Sequence, residues 1–283
     1  MALPDFQKTE QDMTSVPVWA RDMNDDEFIS YSTTYPSKTY FDLFDFESFP
    51  CEETGAIRYY VYDPVKHGAD PTKKYPVLMW LHGASNSIMG IDCIMCCGAE
   101  QYASPKYQEA MGGAYLIVPL ANEERLPDGS ITGGWSDQYV KPLKAILHKV
   151  CLEHPKNIGK RFVMGASSGG NMTWRLLEHY SDVLDGAIPI ASPAYPSDVA
   201  LDAIQENGVR LLIAHGQHDE MAPFQELLVP RLEKLTALKN SICFFPKWVY
   251  HGDGGISSVC YGREMGQHCM ICLLYTSPSP RDC

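Results

Sequence analysis

From about residue 75 onward, short continuous apolar runs alternate with segments of helical length. Such runs are typical of parallel strands buried on both faces, and the segments between them are long enough for crossover helices. The predicted strands span residues 77–81, 114–119, 162–164, 186–190, 209–214 and 242–249, and the predicted helices span residues 105–111, 138–153, 169–180 and 223–238. This alternation predicts an α/β fold: a doubly wound, mostly parallel sheet flanked by helices, with ligands at the carboxyl ends of the strands.

The flanking segments follow different patterns. Residues 1–30 have no sustained period and predict an extended N-terminal arm, whereas β-rich runs at 40–46 and 56–62 predict antiparallel lead-in strands. We therefore expect one domain over residues 31–271. Residues 272–283 (CLLYTSPSPRDC) predict a disordered tail, because their two prolines break regular structure. The stretch LLYTSPSPRD also resembles translated sequencing-adapter read-through, so we expect this tail to be non-native.

The charge balance limits the classes of partner. The 283 residues include 23 Lys and Arg against 35 Asp and Glu, a net charge of −12, which lacks the basic footprint of nucleic-acid binding. No apolar run is long enough to span a membrane, and the first residues do not read as a signal peptide, so we expect a cytoplasmic protein. The ten cysteines are too sparse for a disulfide scaffold and are expected to be mostly reduced thiols.

The strongest chemical signal is the motif Gly165-Ala166-Ser167-Ser168-Gly169 between a predicted strand and a predicted helix. A G-x-S-x-G in this context predicts a nucleophile elbow, a sharp turn that exposes a strained serine while glycines let neighbouring backbone pass closely. Ser167 occupies the middle position and is the candidate nucleophile. Ser168 is the competing hydroxyl.

A serine nucleophile needs a base, and the base needs an orienting acid, in the chain order Ser, Asp or Glu, His. Asp219 lies in the turn after the strand predicted at 209–214, and His251 follows the strand predicted at 242–249. We therefore predict Asp219 as the acid and His251 as the base. The competing bases are His215, His218 and His268, and the competing acids are Glu220, Asp198 and Asp253.

An oxyanion hole requires one backbone N–H from the residue after the nucleophile and one from the loop after an earlier strand. Ser168 supplies the first. The strand predicted at 77–81 runs into His82-Gly83-Ala84, where we favour the N–H of Ala84 and then that of Gly83. A bare His-Gly turn is the alternative for this dipeptide.

The residues that contact the substrate are less clearly indicated by the sequence than the catalytic residues. Asn122 and Trp135 lie in a long polar, glycine-rich segment and are candidate walls of the site, together with His82, although Trp135 is equally typical of a packing anchor.

No cofactor is expected, because the chain lacks a P-loop, a Rossmann glycine signature and an H-E-x-x-H motif. Two C-x-x-C pairs, Cys93/Cys96 and Cys269/Cys272, raise the question of a structural zinc site. Buried thiols are the favoured interpretation, and no metal is predicted.

Four segments together, YPVLMWLHGAS, KRFVMGASSGGN, HGQHDEMAP and VYHGDGG, resemble the α/β-hydrolase superfamily over about residues 55–260. The likeness is to single-domain serine esterases of the feruloyl-esterase and acetylxylan-esterase kind, and more weakly to prolyl-oligopeptidase catalytic domains. It implies nucleophile, acid and base roles for Ser167, Asp219 and His251. The predicted function is a serine carboxylic-ester hydrolase, with small-molecule or carbohydrate-linked acetyl or feruloyl esters suggested by the resemblance. A serine peptidase and a catalytically silent binding protein are the alternatives.

Overall fold

An eight-stranded sheet forms the centre of the computed structural model, which describes residues 40–84, 99–122, 124–125, 127, 131–248 and 266–268. Its strands lie in the order β1-β2-β4-β3-β7-β8-β9-β10, and a separate two-stranded hairpin is formed by β5 and β6. The strands are β1 (Asp45–Phe49), β2 (Ile57–Tyr62), β3 (Tyr75–Leu81), β4 (Tyr115–Pro119), β5 (Glu124–Arg125), β6 (Ile131–Thr132), β7 (Ile158–Ala166), β8 (Gly186–Ile190), β9 (Arg210–Ala214) and β10 (Ser241–Phe244).

The direction of the strands confirms the predicted fold class. Strands β1 and β2 pair antiparallel, and β2 pairs antiparallel with β4. From β4 to β10 every neighbouring pair is parallel. The sheet is therefore mostly parallel and is preceded by two antiparallel lead-in strands.

Apolar side chains on both faces of the sheet explain why its strands are continuous apolar runs. In β3, Val77, Met79 and Leu81 join one buried cluster, while Leu78 and Trp80 join the cluster on the opposite face. Side chains alternate between the faces of a strand, so a strand covered on both sides needs apolar residues at every position.

Helices cover both faces of the sheet. The α-helices are α1 (Pro105–Met111), α2 (Val140–Glu153), α3 (Ser168–Tyr180), α4 (Asp198–Glu206), α5 (Phe224–Leu227) and α6 (Leu232–Ala237). Buried residues of α2, α3, α4 and α6 join the first cluster. Buried residues of a 3-10 helix at Ala99–Ala103 join the second, and side chains of α1 pack against it.

Three local predictions were wrong. The strand predicted at 242–249 ends at Phe244. The run at 40–46 forms a 3-10 turn at Phe41–Leu43 before β1 begins at Asp45, because the ring of Phe41 packs edge-on against Tyr60 of β2. The helix predicted at 223–238 divides into α5, a 3-10 turn at Val229–Arg231 and α6. Pro230 lies in that turn, where it has no N–H to donate and its ring obstructs a continuous helix.

Helix α4 was missed by the sequence reading. Its N-cap is Ser197, whose side chain accepts a hydrogen bond from the N–H of Ala200, and it buries Leu201 and Ile204. The Ser-Asp start followed by apolar residues three apart is a helix signal that the sequence carries.

Candidate active site

The turn between β7 and α3 has the geometry of a nucleophile elbow. Ser167 has φ 56° and ψ −120°, a conformation that a residue with a side chain rarely adopts. Its N–H donates to the carbonyl of Ile190 in β8 at 2.9 Å, and its carbonyl accepts from the N–H of Asn171 in α3 at 3.0 Å. The Ser167 hydroxyl makes no capping hydrogen bond to α3. The backbone is thus held in a strained turn while the half-buried hydroxyl is not used as a helix cap.

Close backbone contacts explain the glycines around this serine. A Cβ atom on Gly169 would lie 2.2 Å from the carbonyl oxygen of Leu81, and one on Gly165 would lie 2.6 Å from the backbone of Gly169. A Cβ on Gly170 would lie 2.5 Å from the carbonyl oxygen of Ile190. The start of α3 therefore lies directly against the ends of β3 and β8, and side chains at these positions would push them apart.

The hydroxyl of Ser168, the competing nucleophile, is used in a structural contact. Its Oγ accepts a hydrogen bond from the N–H of Trp135 at 2.8 Å. The N–H of Ser168 belongs to the first turn of α3, where helical N–H groups have no partner within the helix. This geometry suits Ser168 as an oxyanion donor and Ser167 as the nucleophile.

The loop after β3 lies beside the elbow, as an oxyanion loop requires. A Cβ on Gly134 would lie 3.0 Å from Oγ of Ser168 and 3.6 Å from Cβ of Ala84, so both residues border the same glycine. Ala84 is exposed and Gly83 is partly buried. The structure thus brings together the sequence-predicted candidates for the two donors.

His82 is a fully buried, neutral residue at the start of this loop. Its Nε2 accepts a hydrogen bond from the N–H of Ala121 at 3.0 Å, so its Nδ1 carries the proton and donates to the carbonyl of Gly83 at 2.6 Å. Burial lowers the pKa of His82 to about 4. With both ring nitrogens bonded to the protein, the side chain orders the loop backbone.

Asp219 is a buried carboxylate in the turn after β9. Its Oδ1 accepts hydrogen bonds from the N–H groups of Met221 at 2.9 Å and Ala222 at 2.7 Å. The Nδ1 atom of His268 lies 2.8 Å from each of its two oxygens. The acid predicted from the sequence therefore contacts a histidine, as an orienting acid must.

The histidine at Asp219 is His268, one of the alternatives weighed from the sequence. The predicted base, His251, lies outside the described residues, as does the alternative acid Asp253. His251 and His268 are the two histidines that follow Asp219 in the chain. The chain order Ser, Asp, His therefore allows His268 as the base, but it allows His251 equally and does not choose between the two histidines.

Glu220 holds the short turn that carries His268. Its two carboxylate oxygens accept hydrogen bonds from the N–H of Gln267 at 3.2 Å and from the N–H of His268 at 3.1 Å. Burial raises the pKa of Glu220, and the two backbone N–H groups counteract that rise. Two successive acidic residues therefore fix this turn, one through the imidazole and one through the backbone.

The other histidines near the acid have structural partners. His215 is buried, with Nδ1 accepting from the hydroxyl of Tyr195 at 2.6 Å and Nε2 donating to the carbonyl of Ala222 at 2.7 Å. Burial lowers the pKa of His215, which keeps the ring neutral. His218 stacks on Trp248 with ring centroids 3.8 Å apart.

Asp198, the remaining alternative acid, opens α4 and pairs with Arg231 at 3.0 Å. It is largely exposed, and its partner is a cation, not a histidine.

Like His82, the other two predicted wall residues make contacts within the protein. The side-chain amide of Asn122 donates to the carbonyls of Thr54 at 2.6 Å and Ala56 at 3.3 Å. Trp135 is only 6% exposed, and its indole N–H donates to the carbonyl of His82 at 2.9 Å. These contacts favour anchoring roles for both residues over direct substrate contact.

Within the part of the chain that the structure describes, no group of three His, Cys, Asp or Glu side chains is arranged to hold a metal ion. Both C-x-x-C pairs lie outside those residues. No helix among the described residues has the length and apolar character needed to cross a membrane.

Solved structures of similar fold include esterases. A thermostable esterase aligns with a TM-score of 0.60 and 21% sequence identity, over 84% of this chain and 61% of that chain. A ferulic acid esterase aligns with a TM-score of 0.51 and 14% identity, over 71% and 88% of the two chains. An esterase from Pyrococcus furiosus aligns with a TM-score of 0.50 and 15% identity, over 75% and 87%.

This chain spans less than two thirds of the length of the thermostable esterase. The likeness, together with the strand order, confirms the α/β-hydrolase fold. No protein-family model and no curated protein matches the sequence.

Proposed function

We propose that this α/β-hydrolase-fold chain is a serine carboxylic-ester hydrolase with Ser167 as its nucleophile. The observation that carries the proposal is the strained backbone of Ser167 at the strand-to-helix turn, where the hydroxyl is not used to cap the helix. Strain of this kind persists only where the surrounding structure enforces it, and it is concentrated at functional sites. The esterase names of the structural neighbours agree with this assignment.

The base in this proposal is His268. A carboxylate only accepts hydrogen bonds, so the contact with Asp219 places a proton on Nδ1 of His268 and leaves the lone pair on Nε2. In the reaction, Nε2 takes the proton of the Ser167 hydroxyl as Oγ attacks the ester carbonyl carbon. Asp219 orients the imidazole and stabilises the imidazolium that forms.

The oxyanion that forms on the carbonyl oxygen is held by the N–H groups of Ser168 and Ala84, with Gly83 as the alternative second donor. Removing one such donor typically lowers kcat by about 10²- to 10³-fold, so these groups contribute strongly to rate. The imidazolium then gives its proton to the leaving alcohol. Water then takes the place of the alcohol: Nε2 of His268 accepts its proton as its oxygen attacks the acyl carbon. The bond to Ser167 breaks, the imidazolium returns that proton to Oγ, and the carboxylic acid leaves.

For the substrate class, we propose esters of small carboxylic acids, with feruloyl and acetyl esters of plant carbohydrates as the first candidates. The name of one structural neighbour, a ferulic acid esterase, supports the feruloyl group. A panel of acetyl, butyryl and feruloyl esters with matched amides tests this. Hydrolysis of the amides at rates equal to the esters would favour a peptidase instead.

Labelling with a fluorophosphonate probe tests the nucleophile. We expect the full-length folded protein to react on Ser167, located by peptide mapping, and the heat-denatured protein not to react. Ser167→Ala should abolish labelling and lower ester turnover by about 10⁴-fold or more. A folded wild-type chain that neither labels nor hydrolyses any ester would refute the proposed function.

A matched pair of variants tests which histidine is the base. If His251 is the base, as predicted from the sequence, its variant should lose activity, whereas the proposal of His268 expects the loss in the His268 variant. We expect His268→Asn to lower kcat by about 10⁴-fold or more and His251→Asn to change it by less than about 10-fold. The reverse result would assign the base to His251. The thermal unfolding of both variants, followed in parallel, controls for loss of fold.

A further inference from the structure

One residue outside the proposed triad bonds to both sides of the oxyanion site. Trp135 donates its backbone N–H to Oγ of Ser168 at 2.8 Å and its indole N–H to the carbonyl oxygen of His82 at 2.9 Å. Ser168 belongs to the elbow, and His82 begins the loop after β3. These two segments are 86 positions apart in the sequence, counted from 168 to 82.

The Trp135 ring is itself held firmly. Its centroid lies 4.6 Å from that of the His82 imidazole and 5.2 Å from the Tyr139 ring, which meets it edge-on. The side chain is 6% exposed. The Tyr139 hydroxyl in turn accepts a hydrogen bond from the N–H of Asn122 at 2.9 Å. A packed aromatic ring with few rotatable bonds is a stiff support for both hydrogen bonds.

The bond to His82 sets the direction of a candidate oxyanion donor. In a trans peptide, the carbonyl of one residue and the N–H of the next point in opposite directions within one plane. By holding the His82 carbonyl, Trp135 therefore fixes where the N–H of Gly83 points. His82 does the same for the next peptide, because its Nδ1 donates to the Gly83 carbonyl at 2.6 Å and so orients the N–H of Ala84.

We infer that Trp135 is a positioning residue that sets the spacing and orientation of the two sides of the oxyanion hole. This inference rests on the proposed function. Oxyanion donors stabilise the transition state only when they are placed in advance within about 2.7 to 3.1 Å of the developing charge. The two hydrogen bonds of Trp135, one to the elbow and one to the loop after β3, supply this placement without touching the substrate.

The test compares two buried tryptophans. Trp135→Phe keeps an aromatic ring but removes the indole N–H that holds His82. The matched control is Trp174→Phe in α3, because Trp174 is also buried and its indole N–H has no hydrogen-bond partner in the described part of the chain. We expect Trp135→Phe to lower kcat by about 10- to 100-fold, less than loss of a whole donor, with KM changed less than about 3-fold. Trp174→Phe should change kcat by less than about 3-fold.

A transition-state mimic separates positioning from general loosening. A trifluoromethyl ketone forms a bond between Oγ of Ser167 and the ketone carbon, and the resulting alkoxide occupies the oxyanion hole. We expect its inhibition constant in Trp135→Phe to rise by the same factor by which kcat/KM falls. Ser168→Ala, which removes the acceptor of the Trp135 N–H, provides a second variant and should act in the same direction.

The outcomes are distinguishable from failure of the proposed function. If wild-type protein hydrolyses esters but Trp135→Phe resembles Trp174→Phe in kcat and in ketone affinity, the inference is overturned and the proposed function stands. Should Trp135→Phe fail to fold, Ser168→Ala decides the question by the same two measurements. A wild-type chain without ester hydrolysis or labelling overturns both.

Discussion

Replacing the nucleophile by glycine should stabilise the protein while abolishing its activity. Ser167 has φ 56° and ψ −120°, which costs a residue with a Cβ about 1 to 3 kcal/mol. Glycine adopts such conformations without this penalty, but its more flexible unfolded chain costs about 0.5 to 1 kcal/mol. The central values of these two ranges differ by about 1 kcal/mol, so for Ser167→Gly we expect the free energy of unfolding to rise by about 1 kcal/mol.

Two control variants isolate the backbone strain. Ser167→Ala retains the Cβ and the strain, so its free energy of unfolding should stay within about 0.5 kcal/mol of wild type. Ser136→Gly places glycine at an exposed serine with an ordinary φ of −119° and no capping hydrogen bond, so it should be destabilised by about 0.5 to 1 kcal/mol. Ester hydrolysis should be lost in both Ser167 variants.

Urea unfolding followed by circular dichroism measures these differences, with equal m-values required for comparison. A gain of 1 kcal/mol corresponds to about 2 to 4 °C in Tm for a domain of this size. If Ser167→Gly unfolds at the same or a lower urea concentration than Ser167→Ala, the turn is not strained and the reasoning fails.

Three further predictions concern the groups around the elbow. Burial lowers the pKa of His82 to about 4 in the folded state, so between about pH 6.5 and 4 only the unfolded state protonates this imidazole. The free energy of unfolding should therefore fall by about 3 kcal/mol as the pH drops from 6.5 to 4. Urea unfolding across this range should show a loss in wild type that exceeds the loss in His82→Asn by this amount, because buried His215 contributes to both. Gly169→Ala, whose Cβ would lie 2.2 Å from the Leu81 carbonyl oxygen, should lose about 3 kcal/mol or more, whereas Gly208→Ala, at φ +73° in open space, should lose about 1 to 2 kcal/mol. Equal losses would mean that α3 can shift away from β3. Glu220→Gln should lower kcat about 10-fold, because it loosens the turn that carries His268. As a control, Asp198→Asn should leave kcat unchanged, since Asp198 forms an exposed ion pair with Arg231. Unaltered steady-state kinetics in Glu220→Gln would show that Glu220 does not position His268.

Features with a local physical cause were predictable from the sequence. Buried parallel strands require apolar side chains on both faces, so the runs at 77–81 and 186–190 identified β3 and β8 closely. The elbow was equally predictable, because Gly165 and Gly169 have no room for a side chain. A Cβ at either position would lie less than 3 Å from backbone atoms of the same turn or of Leu81 in β3. Asp219 was predicted as the acid from its place in the turn that follows β9, and the structure places His268 against it.

Tertiary packing decided the local structure where the sequence pattern allowed more than one. The break at Pro230 and the turn at Phe41–Leu43 depend on which surfaces the side chains meet, and periodicity alone does not report this. The role of Trp135 was also hidden, since a tryptophan in a glycine-rich loop fits a substrate wall and a packing anchor equally well. Only its two hydrogen bonds, to Ser168 and His82, separate these interpretations.

The histidine opposite the acid shows this limit most clearly. The predicted chain order places a base after Asp219, and the sequence has two histidines there, His251 and His268, with no local signal to choose between them. His268 lies 49 residues beyond Asp219, and its contact depends on Glu220 holding the backbone of its turn. Loops of different length can return to the same point at similar entropic cost, so the residue that arrives there is selected by tertiary contacts and not by spacing along the chain.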